Sequence, residues 1–277
     1  MKRLTRLSTF FFAIAIAGMV SGCSTQPDQP GAMSLRPSLA LQNTGTPSNV
    51  GLIHNAGIRY LIDKYDTSRY SGFPHKLSLL AVDSLFSLYA NDSMTISGSS
   101  PSPAQLAIAS GFFNSALSRT AIVALSHAEF VDSLQAAVSA GAIANDECLF
   151  LRGADSLLRL CGTYSAVNST LAGLHTTFNG TTWGSSQSHG VTAANYLSVA
   201  DSSSALWSKG GTDIPCVSVA GDAAGFASGF ASSIATDFVN GRSIDWGAAT
   251  LNGIASGLAA SFGPVGQLIG DILKGLF

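Results

Sequence analysis

The chain of 277 residues is poor in charge and in the local motifs of catalysis. Charged residues make up 11% of the sequence, and the net charge is −2. So weak a charge provides no basic patch for a nucleic-acid backbone, and we expect no nucleic-acid partner. The signatures H-E-x-x-H and G-x-S-x-G and a phosphate-binding glycine loop are also missing. We therefore predict no metal and no cofactor, and an enzyme is the less favoured class.

Alternating runs of β-branched residues are nearly absent as well. From residue 48 onward, apolar side chains recur every three or four positions, beginning with Val50, Ile53 and Leu61. This spacing is typical of amphipathic helices, and breakers such as SGFP and GSSPSP separate successive segments. The sequence predicts an all-α fold, in which a multi-helix bundle at residues 48–210 is followed by a Gly/Ala-rich helical hairpin at residues 211–277.

The first 23 residues have the three-part form of an export signal. MKRLTR is basic, LSTFFFAIAIAGMV is apolar, and the small residues of VSGC follow at residues 20–23. The apolar segment has 14 residues and would span about 21 Å as a helix, whereas a bilayer core measures roughly 30 Å. A cleaved signal peptide is therefore favoured over a permanent membrane span.

The VSGC tetrad resembles the lipobox of bacterial lipoproteins, with Val20 where leucine is usual. The resemblance implies removal of residues 1–22 and lipidation of Cys23, and so a membrane partner through the lipid anchor. Ser24 stands where aspartate would imply retention at the inner membrane, which favours the outer membrane and its periplasmic face. Residues 23–47 are rich in Pro, Ser, Gln and Thr, and this composition predicts a flexible tether.

The first predicted helix carries a polar motif, NVGLIHNAGIRYLI. Its Asn49, Gly51, His54 and Asn55 resemble the opening of uncharacterised secreted proteins of Bacteroidota that also have a Gly/Ala-rich tail. That group has no established activity, so the resemblance implies none. His54 and Asn55 could bind a ligand or serve in acid–base chemistry, or they could tie loops such as the tether or the SGFP turn to the helix through hydrogen bonds. The second role is the favoured interpretation.

Three cysteines follow the export signal. In one continuous helix, Cys148 and Cys161 would lie about 20 Å apart and could not bond. Gly153 lies between them and favours a turn, so we predict a helical hairpin closed by a Cys148–Cys161 disulfide in an oxidising compartment. The alternative is a bond from Cys216 to either of them.

Small residues recur every four positions in the tail, at Gly221, Gly225 and Gly229 and again at Gly253 and Gly257. Such a row forms a groove along a helix, and another helix can approach closely there. We predict that the two tail helices pack against each other and dock on the α domain. The alternative is a membrane-active or oligomerising element.

These features favour a lipid-anchored protein of the cell envelope that acts as a binding or structural module, with an unidentified protein or small-molecule partner. One alternative is a toxin-like effector that inserts its Gly-rich tail into a membrane. A second alternative is an enzyme with a non-local active site around His54.

Overall fold

Seven long helices make up most of the part of the chain that the structure, a computed structural model, describes. The described residues are 48–64, 86, 88–90, 102–104, 126–184, 188–209 and 216–265. In chain order the helices are α1 (Ser48–Lys64), α2 (His127–Ser139), α3 (Asn145–Arg159), α4 (Tyr164–Gly180), α5 (Val191–Trp207), α6 (Val217–Val239) and α7 (Trp246–Val265). No strand occurs within these ranges. The predicted all-α bundle with a C-terminal Gly/Ala-rich hairpin is therefore confirmed.

Several predictions concern residues that lie outside the described ranges. The signal peptide at residues 1–22, the tether at residues 23–47 and Cys23 itself are among them. All the described residues belong to one unit, residues 37–277. Among the described helices, none has both the length and the hydropathy required to cross a bilayer.

Helix α6 lies at the centre of the bundle. Of its 23 residues, 16 are buried, and they are distributed around the whole helix. A helix buried on all sides must be apolar or small all round, which accounts for the Ala, Gly and Ser content of this segment. Its neighbours are α2, α3, α5 and α7. The tail hairpin thus shares its core with the preceding helices.

The contact between α6 and α7 depends on glycine. A Cβ atom at Gly225 would lie 2.7 Å from the Ser256 carbonyl oxygen, and one at Gly229 would lie 2.5 Å from the Asn252 carbonyl oxygen. Both distances are too short for real atoms, and both obstacles are backbone. The small-residue row of α6 therefore sets how closely the two helix axes approach.

Gly253 and Gly257 of α7 both lie against aromatic rings. A Cβ at Gly253 would lie 2.7 Å from the Phe226 ring, and one at Gly257 would lie 3.0 Å from the His54 ring. Gly221 differs, because a Cβ there would meet no described atom within 4 Å. Four of the five singled-out glycines thus lie at close contacts, and two of these accommodate aromatic rings.

The predicted Cys148–Cys161 disulfide is wrong. Helix α3 runs without a break through Gly153, so Cys148 near its start and Cys161 beyond its end lie about 20 Å apart. Cys148, Cys161 and Cys216 are all free thiols. Gly153 is exposed, and a glycine there lowers helix stability by only about 1 kcal/mol relative to alanine. The buried face of α3, which includes Leu151, outweighs that effect.

Matched glycine substitutions test the α6–α7 contact. Gly229→Ala should lower the free energy of unfolding by about 1–3 kcal/mol, because the methyl group must displace α7. Gly173→Ala, in the exposed middle of α4 with open space around it, should raise it by up to about 1 kcal/mol through helix propensity. Urea unfolding of both variants measures the contrast. A Gly229→Ala variant at least as stable as the wild type would contradict close packing of the hairpin.

Candidate functional site

The most enclosed polar site of the described structure surrounds one carboxylate. Asp222 of α6 has no exposed surface. Trp207 of α5 donates its indole N–H to Oδ2 at 2.8 Å, and Ser261 of α7 donates its hydroxyl to Oδ1 at 2.6 Å. Each carboxylate oxygen therefore has a donor, as a buried carboxylate requires. The two donors come from α5 and α7, both of which contact α6.

His54 reaches the same site from α1. Its side chain is fully buried, and Nδ1 lies 3.4 Å from Asn55 Oδ1. Nε2 faces Gly257 of α7, whose backbone favours the charged imidazole, and a Cβ atom at Gly257 would come within 3.0 Å of the ring. Gly257 therefore provides the space that the imidazole occupies on α7.

Desolvation shifts the pKa values of His54 and Asp222 in opposite directions. Desolvation lowers the pKa of His54 from its ordinary 6.5, and the nearby Asp222 carboxylate opposes that shift. Desolvation raises the pKa of Asp222 from its ordinary 3.8, and His54, Ser261 and Trp207 oppose it. Each group favours the charged form of the other, but burial disfavours both charges. The two groups influence each other through their charges without a direct hydrogen bond, and neither has surface that a substrate could touch.

Asn55 and Gly51 fasten α1 to α5. The Asn55 amide donates to the Ser202 carbonyl oxygen at 2.6 Å, and the Gly51 N–H donates to Ser198 Oγ at 3.1 Å. A Cβ at Gly51 would lie 2.7 Å from the Ser198 carbonyl carbon. The polar motif of the first helix thus acts in helix docking. The favoured interpretation placed its hydrogen bonds on loops, whereas the acceptor for Asn55 lies inside a helix.

A second buried carboxylate, Glu147 of α3, was not singled out from the sequence. It accepts backbone N–H bonds from Gly190 at 3.2 Å and Ala193 at 3.1 Å, and a hydroxyl bond from Ser188. Gly190 offers no side chain to cap α5, so Glu147 supplies the cap from another helix. Burial raises the pKa of Glu147, and these hydrogen bonds oppose the shift. From the sequence, it resembles an ordinary acidic residue in the first turn of α3.

A third site links α2 to α3 through Asp155. His127 Nδ1 lies 2.6 Å from Asp155 Oδ2, and Arg159 donates to the same oxygen at 2.7 Å. Asp155 is fully buried, whereas the side chain of His127 is 42% exposed. A carboxylate that orients an accessible imidazole is an arrangement suited to proton transfer. In the described part of the chain, however, no three potential ligands cluster to hold a metal.

No family model, curated protein or solved structure matches this chain. The functional interpretation therefore rests on the sequence features and on the geometry of the three buried carboxylates.

Two serines of α7 provide a matched test of the Asp222 site. Ser261→Ala removes a donor to a buried carboxylate and should lower the free energy of unfolding by about 1.5–3 kcal/mol. Ser256→Ala removes a buried hydroxyl that has no partner, and it should leave stability unchanged or raise it. Thermal and urea unfolding measure both. Equal changes in the free energy of unfolding for the two variants would show that the hydrogen bond from Ser261 to Asp222 does not stabilise the fold.

Proposed function

We propose that this protein is a lipid-anchored component of the cell envelope, whose helical body acts as a structural or binding module. The observation that carries the proposal is the VSGC tetrad, which directly follows the basic and apolar segments of an export signal. Lipidation of Cys23 with two or more acyl chains would provide stable membrane attachment, where one chain gives only marginal binding. Ser24 favours the outer membrane, with the body on its periplasmic face.

The use of the polar residues in the body supports a structural or binding role over a catalytic one. Asp222, Glu147 and Asp155 are all fully buried carboxylates, and each connects helices that are separate in sequence. His54, the candidate around which an active site was considered, has no exposed surface. These groups hold the helices in fixed positions, so the body can present a defined surface to a protein or small-molecule partner.

The position of α1 supports a firm attachment of the body to the anchor. Ser48, where α1 begins, follows Cys23 by 25 residues, a length that reaches roughly 80 Å when fully extended. His54 and Asn55 then hold α1 in the bundle through α5, α6 and α7. In this proposal, α1 is the first folded element that a pull on the lipid anchor would reach.

Substitution of the lipidation site tests the proposal. The wild type, produced in a Gram-negative host, should incorporate labelled palmitate and enter the detergent phase of a cloud-point extraction. Cys23→Ala should do neither, and Cys216→Ala serves as the control that retains both properties. Ser24→Asp should move the protein from the outer-membrane to the inner-membrane fraction.

Two results would contradict the proposal. Detergent partitioning of Cys23→Ala equal to that of the wild type would exclude the lipid anchor as the cause of membrane association. Leakage of dye from vesicles on addition of the unlipidated protein would favour the membrane-active alternative instead.

A further inference from the structure

We propose that His54 and Asp222 form a proton-linked latch, which holds α1 on the α6–α7 hairpin and weakens when the pair takes on an uncompensated charge. The pair lies inside the helical body, so this proposal does not depend on the lipid anchor. It concerns how firmly α1 packs on the α6–α7 hairpin, and it can be tested on the protein without its lipid anchor.

Four helices meet at the pair, but α1 contributes only one ionisable group to it. His54 comes from α1, and Asp222 comes from α6 with donors from α5 and α7. A Cβ at Gly257 would lie 3.0 Å from the His54 ring and 3.2 Å from the Asp222 carbonyl oxygen, so His54 and Asp222 meet at the same point of α7. One turn further along α1, a Cβ at Gly57 would lie 3.1 Å from the Leu258 side chain. A change of charge on His54 therefore acts directly where α1 touches the hairpin.

The pair has three states of protonation. With neutral His54 and ionised Asp222, it is negative overall. With one proton added to either group it is neutral, and with a second proton it is positive. Both groups have no exposed surface, so water cannot compensate a net charge. The neutral state therefore fits the site best, and each charged state should loosen the contact.

Within the described ranges, few other ionisable groups affect the pair. Helix α4 supplies Tyr164, whose phenol interacts with the Asp222 charge and whose pKa burial raises. Helices α5 and α7 supply the uncharged donors of Trp207 and Ser261. Tyr89 donates to the carbonyl oxygen of α1 residue Ile53 at 2.8 Å and has its pKa raised by burial to about 12. Among the described residues, the charge of this site therefore depends chiefly on His54 and Asp222.

The two shifts have opposite effects on stability. Because the pKa of His54 is lowered from 6.5, the unfolded chain binds a proton that the folded site disfavours, and stability is lost as the pH falls below 6.5. Because the pKa of Asp222 is raised from 3.8, the folded site stabilises the protonated carboxyl group. Its contribution to the free energy of unfolding is complete below pH 3.8 and is lost as the pH rises through the folded-state pKa. Removal of either group should reveal the dependence of the other.

Hydrogen exchange of the α1 amides tests the latch. Protection would be compared in the wild type, His54→Gln and Asp222→Asn from about pH 8 to about pH 4, after correction for intrinsic exchange. In Asp222→Asn, protection of α1 should fall as the pH decreases below 6.5, by at most about tenfold per pH unit for one proton. In His54→Gln, protection should rise as the pH decreases through the folded pKa of Asp222, which lies above 3.8. The wild type should lie between them.

A surface histidine provides the control. His175 bonds to Asp201 at 2.7 Å, and both side chains are partly exposed, so His175→Gln should follow the wild-type profile. Parallel pH profiles for all the variants would overturn the proposal. Should a core substitution prevent folding, the wild type alone decides the question. Its α1 protection must depend on pH differently from that of α4, and identical dependence in the two helices would refute the latch.

Discussion

Burial of the Asp222 carboxylate is the constraint on which the arrangement of the helices depends. A charge-capable group with no exposed surface requires donors at fixed positions, because an unpaired carboxylate in the core is strongly unfavourable. Trp207 and Ser261 provide those donors, and His54 provides a nearby positive charge when it is protonated. One side chain of α6 thus fixes α5 and α7 through hydrogen bonds, while α1 places an ionisable imidazole nearby. Apolar packing alone would tolerate small rotations of these helices, whereas hydrogen bonds to one carboxylate do not.

The small residues of the tail make this arrangement sterically possible. Because α6 has neighbours on all sides, larger side chains at Gly225 and Gly229 would separate it from the backbone of α7. Each glycine lowers intrinsic helix stability by about 1 kcal/mol relative to alanine, which close packing must offset. Gly257 has a different role, since it leaves room for the His54 ring. The glycine pattern and the polar site are therefore parts of one design, in which close approach of the helices brings the donors within reach.

The sequence predicts the helices better than it predicts their contacts. Apolar spacing every three or four residues identifies the all-α fold and the tail hairpin, because this periodicity is local. It also singles out His54, since a polar motif inside an apolar helix is conspicuous. In the sequence, Asp222 is only a single charge within a Gly/Ala-rich stretch. Its partners lie on three other helices, and no local pattern reports such distant contacts.

Other misreadings have the same physical origin. Gly153 was interpreted as a turn, but α3 continues through it because tertiary packing of its buried face outweighs one unfavourable residue. Glu147 has the position of an ordinary first-turn acidic residue in its own helix, and only the fold reveals that it caps α5. In both cases the decisive partner is remote in sequence. The sequence thus provided the elements, while the buried carboxylates that join them became visible only in three dimensions.

The most direct test of this account is a double-mutant cycle between His54 and Asp222, measured by urea unfolding at neutral pH. His54→Gln, Asp222→Asn and the double variant give the interaction free energy between the two side chains without reference to either substitution alone. The account predicts a coupling of about 1–3 kcal/mol, because each single substitution leaves the remaining group without its partner in the core. Effects that add to within about 0.5 kcal/mol would contradict it, since they would show that the two buried groups stabilise the fold independently.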